Sequence, residues 1–95
     1  MAIVVELHVA GTGRDEADLL DQRVGEAMQT MGGPPAGLMV HIGRPSADGL
    51  LITDVWRSEP EMRSFLDDVL LPRIAELGLK AGEPTMSPLW QFGRP

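Results

Sequence analysis

Ninety-five residues at 10.3 kDa make one domain, spanning 1–95, since compact domains typically run to about 100–150 residues and a second core would have nothing to bury. At 43% hydrophobic and 23% charged the chain reads as an ordinary globule, and no apolar run nears the ~18–20 residues that a membrane span needs. The net charge of -6, with 14 acidic against 8 basic residues, argues against nucleic acid, whose phosphates require clustered Lys and Arg; the lack of any cysteine or tyrosine removes disulfides, thiolate ligands and nucleophiles, and tyrosine acids.

No basic n-region precedes Met1-Ala2-Ile3-Val4-Val5, so no secretory leader is expected and a cytoplasmic location is the default. Ile3 to Val9 alternates with period two, the signature of a strand. Ala10-Gly11-Thr12-Gly13 breaks it. Thr12 is placed to cap a helix whose first turn carries Asp15, Glu16 and Asp18 at the positive end of the dipole. The helix runs to about Met31, with Ala17, Leu20, Val24, Ala27, Met28 and Met31 as its core stripe. Its acidic positions Asp15, Glu16, Asp18, Asp21 and Glu26 read as a solvated face. Gly32-Gly33-Pro34-Pro35 ends it.

A second strand follows from Gly37 to Arg44, and the turn Pro45-Ser46-Ala47-Asp48-Gly49 leads straight into a third, Leu50 to Trp56, predicting a hairpin. Ser58-Glu59-Pro60-Glu61 has the form of a capping box. The helix it opens carries Met62, Phe65, Leu66, Val69, Leu70, Ile74 and Leu77 toward the core and closes near Gly78, with Pro72 predicted to kink it. Thr85 to Phe92 reads as a last strand, held to an edge by Pro88. The order β-α-β-β-α-β is that of a ferredoxin-like α+β fold, an antiparallel four-stranded sheet with two helices on one face.

Alternation then predicts two faces. Ile3, Val5, Leu7, Val9, Leu38, Val40, Ile42, Leu51, Thr53 and Val55 are expected under the helices. Val4, Glu6, His8, Met39, His41, Ile52, Asp54 and Trp56 are expected on the other side, which is too apolar for water and too polar for a dry core. Packing it on a second copy would satisfy both conditions, so a homodimer enclosing a ligand cavity is expected.

The passage Leu51-Ile52-Thr53-Asp54-Val55-Trp56-Arg57-Ser58-Glu59-Pro60-Glu61-Met62, with Phe65 and Leu70-Leu71-Pro72, resembles the dimeric α+β barrel superfamily and, within it, small proteins similar to antibiotic-biosynthesis monooxygenases. The resemblance implies homodimers whose two sheets enclose a pocket, and activities that include cofactor-free oxygenation of aromatic polyketides and haem degradation. It also implies that Trp56 matches a pocket tryptophan that stacks on a flat substrate. Haem-degrading relatives use a histidine on the second helix and an asparagine on the first strand, and this chain has neither.

His8 is the best candidate base, with Asp54 as a neighbour that would orient the imidazole and raise its basicity. Glu6, Met39, His41, Ile52, Trp56 and Trp90 complete the candidate substrate wall. A metal site from Glu6, His8, His41 and Asp54 lacks any supporting spacing, so neither a metal nor another cofactor is expected. Gly11-Thr12-Gly13 is a turn rather than a phosphate loop, and Ser64 and Ser87 have no nucleophile-elbow context. Two readings of function stand: a barrel that binds a small apolar or aromatic molecule and acts as a cofactor-independent monooxygenase or related enzyme, and a non-catalytic ligand-binding or accessory protein with the same fold.

Overall fold

Strand β1 (Ile3–Ala10) shows the alternation of its sequence directly: Val5, Leu7 and Val9 are buried, and Val4, Glu6 and His8 between them are half-buried on the other side. The computed structural model describes residues 1–93. After β1 come α1 (Arg14–Thr30), β2 (Leu38–Ser46), β3 (Gly49–Trp56), α2 (Glu59–Phe65), a π-helical turn (Leu66–Leu70), α3 (Leu71–Glu76), β4 (Lys80–Ala81) and β5 (Thr85–Pro88). The sheet is antiparallel in the order β2-β3-β1-β4, with β5 also paired to β1. This is the ferredoxin-like arrangement that the element order predicts. The sheet has five strands rather than the expected four, because Gly82-Glu83-Pro84 separates β4 from β5 on the edge beside β1; β5 closes at Pro88, short of the expected Phe92, and leaves Trp90 and Phe92 beyond the sheet.

Leu20 and Val24 of α1, Met62 and Phe65 of α2, Leu66, Val69 and Leu70 of the π turn, and Ile74 of α3 pack with Val5, Leu7, Val9, Ile52 and Trp56 to form the core. Among the described residues no helix is long and apolar enough to cross a membrane.

The helix ends show how local chemistry is settled. Gly13, not Thr12, holds the N-cap position of α1, while Thr12 is buried and donates its hydroxyl to the Ala10 carbonyl at 3.3 Å. At the other end Gly33, at φ +118°, donates its N–H to the Met28 carbonyl at 2.8 Å, a left-handed conformation that glycine adopts without a Cβ clash. Ser58 occupies the extended N-cap position of α2 with Pro60 in the first turn, but Glu61 pairs with Arg57 instead of reaching back to the cap. The interruption near Pro72 takes the form of the π turn: the Leu71 N–H bonds to the Leu66 carbonyl, five residues back. Pro72, which has no N–H to give, follows immediately.

Strand β3, and β2 beyond its first residue, turn opposite sides to the helices from those predicted, while Leu38 faces the helices as read. In β3, Ile52, Asp54 and Trp56 are buried under the helices and Leu51, Thr53 and Val55 face away. The register decides it, because Ile3, Val5 and Leu7 lie opposite Trp56, Asp54 and Ile52, and directly paired residues share a face. In β2 a bulge between Leu38 and Val40 adds one residue. It turns Val40 and Ile42 to the open face, with Ile42 47% exposed, and brings His41 to the helix side.

Candidate functional site

A cavity of about 640 Å³ lies between α1 and the helix-facing side of β2 and β3. This volume falls in the range of about 300–1,000 Å³ that small-molecule sites occupy. Its apolar wall is supplied by Leu20, Val24 and Met28 of α1, Leu38 of β2, Leu50 and Ile52 of β3, and Phe65 and Leu70. Its polar groups are His41 and Asp54 from the sheet and Arg14, Asp18 and Asp21 from α1. The cavity is contained within one chain, whereas the sequence pattern placed it on the opposite face.

His41 and Asp54 share one rung of the β2–β3 ladder, and His41 Nδ1 lies 2.7 Å from Asp54 Oδ1. A carboxylate only accepts, so Nδ1 carries the proton and donates it to Asp54. In the neutral ring this leaves Nε2 as the free, accepting nitrogen. Asp54 is 5% exposed, and a carboxylate so deeply placed needs a partner of this kind. Nε2 points toward α1, where Asp21 Oδ1 stands 3.9 Å away. The hydrogen bond to Asp54 pushes the imidazole above its usual value of 6.5; partial burial opposes this, and the charges of Asp54 and Asp21 add to it. At the rim Arg14 is held by Asp18 at 3.1 Å.

The other candidate residues are dispersed. The expected pairing of His8 with Asp54 is not formed, because Val5 is the residue opposite Asp54 while His8 lies opposite Leu51 on the open face. His8 Nε2 instead meets Ser46 Oγ at 3.1 Å and Asp48 Oδ1 at 2.7 Å at the hairpin end of the sheet. Glu6 is also on the open face, accepting a hydrogen bond from Thr53 Oγ1 at 3.3 Å and standing 3.9 Å from Arg44. Glu6 and His8 are therefore separated by the sheet from His41 and Asp54, and the four do not converge on one point. Ile52 lines the cavity. Met39 sits at the bulge, 44% exposed.

Trp56 is a core residue at 1% exposure, its ring 5.3 Å from that of Phe65 and tilted by 46°. It is not part of the cavity wall, which its neighbours Phe65 and Leu38 line. Trp90 is 90% exposed beyond β5 and away from the cavity wall.

Asp21 was assigned to a solvated helix face, yet its position carries the signal that would have found it. It lies four residues after Ala17 and three before Val24, inside the apolar stripe of α1, and an acidic residue on a core-facing stripe marks either a rim or a site.

No protein-family model matches the chain, and no curated protein matches it. Solved structures do. SnoaB, a cofactor-independent oxygenase from Streptomyces nogalater, superposes with a TM-score of 0.64 at 14% identity, covering 96% of this chain and 94% of that one. A candidate antibiotic biosynthesis monooxygenase from Deinococcus radiodurans gives 0.59 at 16% identity, over 100% and 98% of the two chains. Rv0793 from Mycobacterium tuberculosis gives 0.58 at 19% identity, over 98% and 100%. At these identities the likeness carries the fold, and the chain has the fold of the antibiotic-biosynthesis-monooxygenase-like group of α+β barrel proteins.

Proposed function

We propose that the chain is a small-molecule enzyme that binds a planar hydroxylated aromatic compound in the cavity, with His41 as general base, and oxygenates it without a cofactor. The observation that carries this reading is the His41–Asp54 pair, in which Nδ1 donates to the carboxylate, so that the neutral ring presents Nε2 as an acceptor beside an apolar cavity. A base of this kind contributes about 10²–10⁴-fold. Asp54 is the positioning residue: it orients the ring and stabilises the imidazolium formed when Nε2 takes a proton.

An anthrone suits the site chemically. Removal of one methylene proton by His41 gives a delocalised carbanion that reduces O₂, and the two combine as a hydroperoxide at that carbon. Loss of water then converts the original methylene and one O₂ into a carbonyl and one H₂O. The apolar wall favours the flat rings and keeps water from the carbanion. The open face of the sheet, with Val4, Val40, Ile42, Leu51 and Val55, supports pairing with a second copy.

The test measures oxygen uptake and quinone absorbance with anthrone. Turnover by the parent and by His8→Ala, with loss of about 10²-fold or more in His41→Ala, supports the assignment. Loss in His8→Ala and retention in His41→Ala returns the base to the open face. An anthrone that binds the parent without turning over supports the non-catalytic ligand-binding reading.

A further inference from the structure

We infer that Gly43 is a specificity-determining residue of the cavity, keeping open the space that lets it take a fused-ring aromatic; this rests on the reading of the cavity as a ligand site. Gly43 lies two residues beyond His41 on the same side of β2, opposite Ile52 of β3, and it lines the cavity. A glycine inside a strand weakens it, because it loses more chain entropy than other residues and packs no side chain.

The common structural reasons for accepting that penalty are absent at this position. Gly43 is not among the glycines with positive φ, which are Gly11, Gly32, Gly33 and Gly78. The bulge of β2 lies between Leu38 and Val40, at the other end of the strand. No backbone crowds the position either, since a Cβ built there would have Leu50 Cδ1 as its nearest neighbour at 3.6 Å, an ordinary contact. Gly49 is the contrast: a Cβ there would run into the Val9 carbonyl. The backbone and the neighbours of Gly43 would accept a side chain, which would extend from the side of β2 that lines the cavity.

Position then gives the ligand class. Two residues along a strand span about 6.6 Å, so a hydroxyl or acidic C–H at His41 Nε2 leaves more than one six-membered ring to lie along β2 over Gly43. A single-ring phenol held at His41 would stop short of it.

The experiment is calorimetric titration of the parent, Gly43→Ala and Gly43→Val with two probes, 1,8-dihydroxyanthraquinone for three fused rings and 4-nitrophenol for one. Gly43→Val should weaken the three-ring probe by about tenfold or more, as overfilling a packed space does. Gly43→Ala should fall between, and 4-nitrophenol should change by less than about twofold in both. Thermal midpoints should be equal to or above that of the parent, since both residues suit a strand better than glycine. Equal binding of the three-ring probe by all three proteins, or equal weakening of both probes, overturns the inference and leaves the cavity as a ligand site. Failure of the parent to bind either probe overturns the ligand-site reading and this inference with it. Size-selective binding without turnover of anthrone upholds Gly43 and overturns only the enzyme.

Discussion

Asp21 Oδ1 on α1 stands 3.9 Å from His41 Nε2 on β2, on the side of the ring away from Asp54, so the imidazole lies between two carboxylates. The two are unequal. Asp54 accepts a hydrogen bond from a buried position, whereas Asp21 acts by charge alone from an exposed one.

That inequality sets the pH dependence. His41 must be neutral to act as a base, so kcat/KM should rise through the elevated pKa, above 6.5. Asp54→Asn removes the largest cause of the elevation and should move the acid limb to lower pH, while the plateau rate falls by roughly 10²-fold or more because the tautomer is no longer held. A limb left in place by Asp54→Asn would mean that another group titrates.

Asp21→Asn should move the same limb in the same direction but by less, since it removes only a charge that solvent partly screens. The shift should shrink further in high salt, whereas that of Asp54→Asn should persist. NMR titration of the His41 ring checks both variants in the absence of substrate.

Stability carries the opposite sign. The folded pKa of His41 is raised, so its contribution is complete below the unfolded value of 6.5 and is lost as pH climbs through the folded value. Urea midpoints of His41→Gln should therefore fall furthest below the parent in mildly acidic buffer, and the gap should narrow in alkaline buffer. A gap that widens with pH would reverse the assignment of the protonated partner.

Gly49→Ala should cost about 2 kcal/mol or more in urea unfolding, because its Cβ would meet the Val9 carbonyl, and backbone cannot move aside cheaply. Gly43→Ala, a few residues away in the same hairpin, should cost nothing. A Gly49→Ala protein as stable as the parent would show that the β1–β3 spacing is softer than its geometry.

Sedimentation should give a mass twice 10.3 kDa at micromolar concentration, and Ile42→Arg on the open face should reduce it. A monomeric parent would remove the second copy and leave the cavity, whose lining comes from one chain, intact.

The sequence made some of this legible and hid the rest for definite reasons. In β1 apolar and polar residues alternate without ambiguity, and Val5, Leu7 and Val9 are buried as read. In β3 both sides are apolar: Leu50, Ile52 and Trp56 compete with Leu51 and Val55, so alternation gives no direction. Asp54 then pulls the reading toward solvent, although a carboxylate paired with histidine is stable on the buried side. In β2 the bulge near Met39 inserts a residue without a glycine to mark it, and a period-two pattern cannot detect that shift. The helices were located more surely because their stripes are longer and their breaks are made by Gly32-Gly33-Pro34-Pro35 and by Ser58 with Pro60, although Met31, read as core, is 61% exposed and Asp21, read as solvated, lines the cavity. His41 was read as part of the cavity wall and Asp54 as the carboxylate beside its base, both on one face, but alternation does not give the β2–β3 register that makes them partners or the β1–β3 register that puts His8 on the other side of the sheet.

The π-helical turn between Phe65 and Leu71 is, in helical terms, a change of phase. Each residue advances an α-helix by about 100°, so the wider turn lets Phe65 and Leu70 address the cavity while Ile74 remains buried where α3 meets α1 and β4. Deleting one residue from Leu66–Leu70 would restore a continuous α-helix and rotate all of α3 by that angle, carrying Ile74 out of the core. The two halves of the helix thus answer to different surfaces.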